Sequence, residues 1–405
     1  MKILLSNKYY YPRGGDCIYT MGLEKLLKEK GHEVAVFSMQ HPANMNSKYS
    51  NYFPGEVDFN KISLKNFFSV FVRPFGSPSV RRNFKRLVND FKPDILHVNN
   101  IHSQLSPIIV KIAYKRKIPV VWTLHDYKLV CPAYLFISNS KICEACLTNK
   151  WSVIRKRCIK QSWLASIMAF FEFRFWNYEK LSKLTNMFIS PSSFLKGKMI
   201  MGGFGSAKIQ VISNFINEEK FYPSEQTREN YYCYVGRLSF EKGIDTLLKA
   251  ATEMPQYTLK LIGIGPMEKE LKSKYKSVNI EFLGYKNWSD LKLLIEGSKF
   301  LVIPSTWYEN NPLSVIESLC LGTPVIGANI GGIPELIDSG VNGLLFEPGN
   351  VIDLQNKISF LWQNSSSFNS SLIANVARLK FNSESYYEKL LKIYLDSVKS
   401  LDDEN

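Results

Sequence analysis

The sequence lacks an apolar run long enough to cross a bilayer. Its best candidate, Trp163 to Phe171, ends at Glu172, whereas a spanning helix needs roughly 18–20 apolar residues. The N-terminus also lacks the apolar core of a secretory signal, because polar residues follow residues 3–5 almost at once. We therefore expect a cytoplasmic protein, with at most a peripheral attachment to the inner face of the membrane.

The chain has seven cysteines, and their odd number without a signal argues against a disulfide framework. Cys143 and Cys146 have the spacing of a zinc-binding pair, and Cys131 and Cys158 flank them. These four thiolates would complete a tetrahedral structural zinc site. The alternatives are four uncoordinated thiols, or a disulfide formed in an oxidising preparation.

Acidic residues are scarce in the first half of the chain. Residues 1–215 contain 12 Asp plus Glu against 32 Lys plus Arg, a net charge of +20, whereas the remainder has a net charge of −5. This asymmetry predicts that the first half meets an anionic partner, such as a bilayer surface, a phosphorylated acceptor or a nucleic acid. Since no nucleic-acid-binding module is recognisable, we expect no nucleic-acid partner.

Two stretches of the first half combine basic and aromatic residues, Lys65–Arg86 and Lys150 to Lys183. In the second stretch, apolar residues recur at helical spacing, namely Leu164, Met168, Phe171, Phe175 and Tyr178. An interfacial helix on an anionic membrane explains this pattern, and so does a core-facing helix with a solvated basic flank.

The length of 405 residues predicts two domains. We expect an N-terminal domain at 1–215 with basic and cysteine-containing insertions, and a polar linker at 216–228. A C-terminal domain follows at 229–383, and a final helix in 384–405 crosses back to the first domain. Strands alternate with helices, which predicts an α/β protein with two doubly wound, Rossmann-like domains facing across a cleft. The predicted strands after the first βαβ unit lie at residues 95–98, 119–123, 187–189, 209–213, 231–235, 259–262, 280–283, 300–303, 324–327 and 344–346.

A glycine turn with two basic residues, 236–243, follows the predicted strand at 231–235. Arg237 offers a planar fork and Lys242 a point charge, and both suit diphosphate oxygens. The helix after the turn adds its positive end. Surface charges on an ordinary turn are the alternative.

A second glycine turn contains Gly263 and Gly265, again between a strand and a helix. It lacks the third glycine of a dinucleotide-binding fingerprint. A tight turn beside a nucleotide and a plain strand-to-helix turn fit this segment equally well.

Two glutamates eight positions apart, Glu309 and Glu317, flank a predicted helix start at Pro312. The first carboxylate lies in the loop and the second one to two turns into the helix. In these positions the two carboxylates can accept hydrogen bonds from two different hydroxyl groups of one ligand. The amides of Asn311 and Leu313 point out of the helix start. A loop glutamate and a surface helix glutamate are the alternative.

These motifs, taken in order, resemble glycosyltransferase family 4. Residues 235–350 carry the most specific part, and Pro-Arg-Gly-Gly at 12–15 and Thr-Leu-His-Asp-Tyr at 123–127 extend it. The resemblance implies the GT-B fold, transfer with retention of anomeric configuration, and no catalytic metal or other required cofactor. The motifs are GRLSFEKG at 236–243, ENNPLSVIE at 309–317, GTPVI at 322–326 and GGIPELI at 331–337.

The resemblance also implies roles for particular residues. Arg237 and Lys242 bind the donor diphosphate, Glu317 binds the ribose, Glu309 contacts the donor sugar, and His125 lies near the reacting sugar. Asp16 and the pair Asn310-Asn311 depart mildly from the family pattern. The donor-binding set is Gly14, Gly15, Gly236, Arg237, Lys242, Gly263, Gly265, Glu309, Asn310, Asn311, Pro312, Leu313 and Glu317.

We therefore expect a hexosyltransferase that uses a UDP- or GDP-linked sugar as co-substrate. Its acceptor is a saccharide or a lipid-linked saccharide in surface polysaccharide or glycolipid assembly. The competing hypotheses are a nucleotide-sugar epimerase on the same fold and a non-catalytic nucleotide-binding scaffold at the membrane.

Overall fold

Two six-stranded parallel sheets form the framework of the chain. The computed structural model describes residues 1–59, 67–217, 221 and 227–402. Residue contacts divide the chain into a first unit, Met1–Ser213 with Glu384–Asn405, and a second unit, Asn214–Ser383. Most of the predicted linker, 218–220 and 222–226, lies outside the described residues, as does Lys65 of the first basic stretch.

The sheet of the first unit has the order β2-β1-β3-β4-β7-β8, and all its neighbouring strands are parallel. Its inner strands are mostly apolar and buried on both faces, as parallel sheets covered by helices require, whereas the edge strand β8 is exposed at two of its three residues. The strands are β1 (Lys2–Ser6), β2 (Glu33–Phe37), β3 (Ile95–Val98), β4 (Val120–Thr123), β7 (Met187–Ser190) and β8 (Ile209–Val211), and a separate antiparallel pair consists of β5 (Ile137–Ser138) and β6 (Lys141–Ile142). The helices are α1 (Gly15–Glu29), α2 (Phe67–Gly76), α3 (Pro78–Phe91), α4 (Ile108–Lys115), α5 (Ala145–Thr148), α6 (Ser152–Arg155), α7 (Trp163–Phe175), α8 (Tyr178–Leu184) and α9 (Ser193–Met201).

The sheet of the second unit has the order β11-β10-β9-β12-β13-β14, again with parallel neighbours. This is the 3-2-1-4-5-6 order of a classic doubly wound domain. The strands are β9 (Tyr231–Val235), β10 (Thr258–Ile262), β11 (Ile280–Gly284), β12 (Leu301–Ile303), β13 (Val325–Ala328) and β14 (Gly343–Phe346). The helices are α10 (Ile244–Thr252), α11 (Glu268–Lys274), α12 (Trp288–Glu296), α13 (Leu313–Cys320), α14 (Val351–Gln363) and α15 (Ser370–Phe381). The predicted pair of Rossmann-like α/β domains is confirmed.

The C-terminal helix α16 (Ser383–Asp402) packs on the first unit. Two buried tyrosines attach it there, since the hydroxyl of Tyr386 hydrogen-bonds that of Tyr19 and the hydroxyl of Tyr394 hydrogen-bonds His97 Nδ1. A buried hydroxyl without a partner would be costly, so these bonds fix the position of the helix along the sheet.

Within the described ranges, no helix is both long enough and apolar enough to span a membrane. Helix α7 has 13 residues and is therefore about 20 Å long. Its Leu164, Phe171 and Phe175 are exposed, whereas Phe170 and Glu172 are buried. One side of α7 therefore faces the core, while the predicted apolar stripe is exposed at these three positions.

Candidate active site

The order of strands in the second unit reverses between β9 and β12. Ligands of doubly wound sheets bind at the carboxyl ends of the strands beside such a reversal. The loop after β9 contains the glycine turn with Lys242, and the loop after β12 contains Glu309. The topology thus brings two of the predicted site residues to the same edge of the sheet.

Lys242 and Glu309 form an ion pair, with 2.6 Å between Lys242 Nζ and Glu309 Oε1. Ser305 Oγ donates a second hydrogen bond of 2.8 Å to the same oxygen. Glu309 is 7% exposed, and the Lys242 ammonium lies 5.2 Å from the centroid of the Trp307 ring. Burial alone would raise the pKa of Glu309, but the charge and hydrogen bond of Lys242, together with the hydrogen bond from Ser305, hold the pKa below its usual value. The carboxylate is therefore ionised at neutral pH.

A glycine lets the two loops touch. Gly243 ends the β9 turn with a φ of +67°, and a Cβ there would lie 1.8 Å from the carbonyl oxygen of Pro304. The amide of Thr306 donates a 3.1 Å hydrogen bond to the carbonyl of Glu241, which joins the loops directly. Only glycine accepts both this backbone angle and this approach, so Gly243 positions Lys242 beside Glu309.

Gly263 and Gly265 have a packing role. A Cβ at Gly263 would lie 1.9 Å from the carbonyl oxygen of Gly236, and one at Gly265 would lie 2.2 Å from that of Leu238. The amide of Leu238 also donates to the carbonyl of Ile264 at 3.1 Å. The turns after β9 and β10 are thus in close contact, which fits both an ordinary strand-to-helix turn and a tight turn beside a nucleotide.

Arg237 differs from Lys242 in its surroundings. Its side chain is exposed, and it forms no ion pair with any residue that the structure describes. A guanidinium free of protein carboxylates keeps its planar fork available for an anionic ligand.

The start of α13 differs by one residue from the prediction. Pro312 is the N-cap rather than the first helical residue, and the helix begins at Leu313. The amides of Val315 and Ile316 donate to the carbonyl of Pro312. The amides of Leu313 and Ser314 come before the first carbonyl that the helix offers, so they are the unsatisfied donors of the helix start.

The remaining residues of this motif differ in their contacts and burial. The side-chain oxygen of Asn311 accepts a 2.9 Å hydrogen bond from the amide of Asn214, and Asn214 Nδ2 donates to the Asn311 carbonyl at 2.9 Å. Asn311 thereby anchors the loop. Asn310 and Glu317 are half-buried. No local pattern marks Asn214 or Ser305, because their roles depend on tertiary contacts.

The first unit holds a second group of predicted residues. His125 follows β4, and its Nε2 donates a 2.9 Å hydrogen bond to Asn99 Oδ1. The Tyr19 ring packs edge-on at 4.9 Å. Burial, opposed by Asp16 and assisted by the positive charge of Lys8, lowers the pKa of His125 to about 4. The ring is therefore neutral at physiological pH.

His125 lines a small pocket at the carboxyl ends of β3 and β4, together with Asn99, Asn100, His102 and Asp126. Asn99 Nδ2 and Asn100 Oδ1 are buried and have no hydrogen-bond partner among the described residues. A buried polar atom without a partner is costly, so such atoms often mark a ligand site. Sequence reasoning missed both asparagines, although their position directly after a buried strand was an available signal.

Gly14 and Gly15 lie at the start of α1. Gly14 is the N-cap with extended backbone, at φ −168° and ψ −178°, and Gly15 is the first helical residue. A Cβ at Gly14 would only make an ordinary contact of 3.5 Å with Asp16 Oδ1. The backbone therefore does not require glycine at position 14, and its effect is to leave space in front of a helix N-terminus.

The predicted zinc site is not supported. Within residues 1–59, 67–217, 221 and 227–402, no three His, Cys, Asp or Glu side chains are arranged to hold a metal ion. Cys143 instead accepts a 3.1 Å hydrogen bond from the ammonium of Lys156. Burial raises the pKa of Cys146 to about 12 and also raises those of Cys131 and Cys158, so these three are protonated thiols at neutral pH.

Comparison with known proteins covers nearly the whole chain. The profile "Glycosyltransferase Family 4" matches residues 14–220, and the profile "Glycosyl transferases group 1" matches residues 215–378. The chain is 27% identical over 365 residues to an uncharacterised 42.6 kDa protein in the cps region of Klebsiella pneumoniae, covering 83% of this chain and 87% of that one. It is 25% identical over 237 residues to the amylovoran biosynthesis glycosyltransferase AmsK of Erwinia amylovora, covering 54% and 58%.

Solved structures agree with this assignment at the level of the fold. HepE of Anabaena, in complex with UDP-glucose, has a TM-score of 0.68 and 18% sequence identity and covers 100% of both chains. Together with the two six-stranded sheets, this likeness establishes the GT-B fold. Since the first profile alone matches just over half of the 405 residues, the chain belongs to glycosyltransferase family 4 and is a glycosyltransferase of group 1.

Proposed function

We propose that this glycosyltransferase moves a hexosyl group from a UDP- or GDP-linked sugar to a saccharide or lipid-linked saccharide, with retention of configuration and without a catalytic metal. The observation that carries the proposal is the ion pair between half-buried Lys242 and buried Glu309, beside the strand reversal of the second unit. A role in surface polysaccharide assembly is supported by the likeness to AmsK and to the cps-region protein. HepE, solved with UDP-glucose, supports a nucleotide sugar as donor.

We assign the donor diphosphate to Arg237, Lys242 and the start of α13. The exposed guanidinium of Arg237 can bind two phosphate oxygens, and Lys242 keeps two further N–H groups while it contacts Glu309. The unsatisfied amides of Leu313 and Ser314 add donors at the positive end of a helix. These groups would stabilise the charge that grows on the leaving diphosphate, which is the role a metal ion has in other transferases.

We assign the sugar hydroxyls to Glu309 and the ribose hydroxyls to Glu317. An ionised carboxylate accepts hydrogen bonds from hydroxyl groups, and the charge of Glu309 would also stabilise positive charge at the reacting carbon. Gly14 and Gly15 would allow the backbone of α1 to approach a phosphate closely.

His125 is assigned to the reacting sugar as a neutral, hydrogen-bonding ring. Its proton lies on Nε2, as a donor to Asn99, and its lowered pKa keeps it uncharged. Asn99 Nδ2 and Asn100 Oδ1 provide one donor and one acceptor for a hydroxyl group in the same pocket. No protein base is required if the departing phosphate takes the acceptor proton.

A screen of UDP- and GDP-sugars by thermal shift, followed by a turnover assay in EDTA, tests this proposal. We expect one donor to stabilise the wild type and to turn over, and Lys242→Met to lose both effects. Lys249→Met is the matched control, because Lys249 pairs with Asp245 on the exposed side of α10. Nucleotide binding without turnover of any donor would favour the non-catalytic scaffold instead.

A further inference from the structure

Helices α2 and α7 of the first unit are in contact, and both expose apolar, mostly aromatic side chains. The rings of Phe75 and Phe175 are in edge contact at 5.4 Å, and Trp176 Nε1 donates a 3.0 Å hydrogen bond to the carbonyl of Pro74. Phe68 is 74% exposed and Phe171 is 54% exposed. We call this surface the aromatic face, and its exposed members are Phe68, Phe71, Trp163, Leu164, Phe171 and Phe175.

Buried polar contacts determine which side of α7 faces solvent. Glu172, at the edge of the buried side of α7, forms a 2.9 Å ion pair with buried Lys128. Ser103 Oγ donates to the same carboxylate at 3.1 Å. A buried charge is tolerated only with such partners, so these contacts fix the rotation of α7 and keep Phe171 and Phe175 outside. Exposed apolar patches of this kind mark interaction sites.

Cations border the aromatic face. Lys180 Nζ lies 3.9 Å from the centroid of the Phe175 ring, and the Arg157 guanidinium lies 4.8 Å from that of Trp163. Residues 150–183 contain eight lysines and arginines against two glutamates, and one of those, Glu172, is already neutralised by Lys128. The segment that carries α7 is therefore strongly positive, and two of its cations, Arg157 and Lys180, lie against rings of the aromatic face.

The combination of exposed aromatic side chains and positive charge indicates which partner binds the aromatic face. A second copy of the chain would bring one positive border against another, which is unfavourable. An anionic bilayer instead accepts aromatic side chains at its interface and attracts the surrounding lysines and arginines to its headgroups. Because α7 is about 20 Å long and the hydrocarbon core is about 30 Å thick, the helix can lie on a bilayer but cannot cross it.

We propose that the aromatic face of α2 and α7 docks on an anionic lipid bilayer, with Arg157 and Lys180 at the headgroups and Phe68 and Phe171 inserted between them. This association does not depend on the donor site, so the two proposals can fail separately. It would place the first unit of the enzyme at the surface where lipid-linked molecules are found.

Vesicle flotation of the full chain tests the docking surface. We expect binding to phosphatidylcholine vesicles that contain phosphatidylglycerol, little binding to phosphatidylcholine alone, and release by high salt. Phe68→Ser with Phe171→Ser should lower the partition coefficient by at least about tenfold, from the lost apolar burial. Arg157→Glu with Lys180→Glu should abolish the preference for the anionic lipid.

Val278→Ser is the matched control, because Val278 is an almost fully exposed apolar residue of the second unit. Circular dichroism and thermal unfolding check that each variant is folded. Equal flotation on neutral and anionic vesicles would overturn the proposal, as would no flotation at all or an undiminished partition of the double-serine variant. Concentration-dependent self-association that the serine changes abolish would identify a second copy as the occupant and would also overturn it.

Discussion

Replacing Lys242 with methionine should reduce both stability and turnover, for reasons that can be separated. Methionine keeps the aliphatic stem but removes the ammonium that lies 2.6 Å from Glu309 Oε1. Breaking a buried ion pair from one side costs about 3–5 kcal/mol. Because the Lys242 side chain is 25% exposed, water screens part of this loss, and we expect a decrease in the free energy of unfolding of about 1–3 kcal/mol.

The loss of turnover has a different origin. Lys242 is assigned to the charge that develops on the departing diphosphate. Removal of one preorganised donor of this type costs about 10²–10³ in kcat. The double variant Lys242→Met, Glu309→Gln should therefore recover part of the stability, since it leaves no unpaired charge, and should recover none of the turnover.

Urea unfolding and steady-state kinetics on the four members of this cycle measure both effects, with Lys249→Met as control. The exposed pair of Lys249 and Asp245 spans 2.9 Å, and its loss should stay within about 0.5 kcal/mol. Near-normal kcat in Lys242→Met, or no recovery of stability in the double variant, would refute the reasoning.

The pH dependence provides an independent check. The pair holds the pKa of Glu309 below its usual value, so its contribution to stability is present above the unfolded pKa of about 4.3 and is lost as the pH falls through the folded pKa. Without Lys242, the pKa of Glu309 would be higher, because burial would be opposed only by the remaining hydrogen bonds to its carboxylate. The stability deficit of Lys242→Met should therefore shrink between pH 7 and about pH 4. A deficit that is constant over this range would contradict the assignment.

Three further predictions concern the supporting structure. Gly243→Ala should lower the free energy of unfolding in urea by about 2–4 kcal/mol, because alanine would strain the left-handed backbone and its Cβ would clash with Pro304. Gly340 is the control, because its backbone is also left-handed but the space around it is open. Gly340→Ala should lower the free energy of unfolding by only about 1 kcal/mol. Glu172→Gln should lower the free energy of unfolding by about 3 kcal/mol, because it leaves the buried charge of Lys128 unpaired. An additional Lys128→Met should restore most of that free energy. NMR titration of His125 should show a neutral ring down to about pH 4. This pKa lies below the unfolded value of about 6.5. The contribution of His125 to stability is therefore full above about pH 6.5 and declines as the pH falls toward about 4.

Much of the fold could be predicted from the sequence. Parallel strands buried on both faces are short apolar runs between turn residues, so β3 and β9 were predicted at their observed bounds. The glycine turns could be placed because they follow such runs. Pro312 was assigned one position too far into its helix, because the fixed φ of proline suits the N-cap as well as the first helical residue.

The contacts that complete the site could not be predicted. The hydrogen bonds of Ser305 to Glu309 and of Asn214 to Asn311 depend on how loops fold back, which carries no local pattern. The orientation of α7 could not be predicted from the sequence either. Helical spacing marked its apolar stripe, but the stripe faces outward because Glu172 is buried, against the usual preference of glutamate for the surface.

The most direct test of the proposed function is ¹H NMR of the first glycosidic product, formed by the wild type from the donor that the screen identifies, in the presence of EDTA. The one-bond coupling constant between C1 and H1 of the transferred sugar reports its anomeric configuration for any hexose. The account predicts a product with the anomeric configuration of the donor, formed at an undiminished rate in EDTA and lost in Lys242→Met. An inverted product, or turnover that stops when divalent metal is removed, would contradict it.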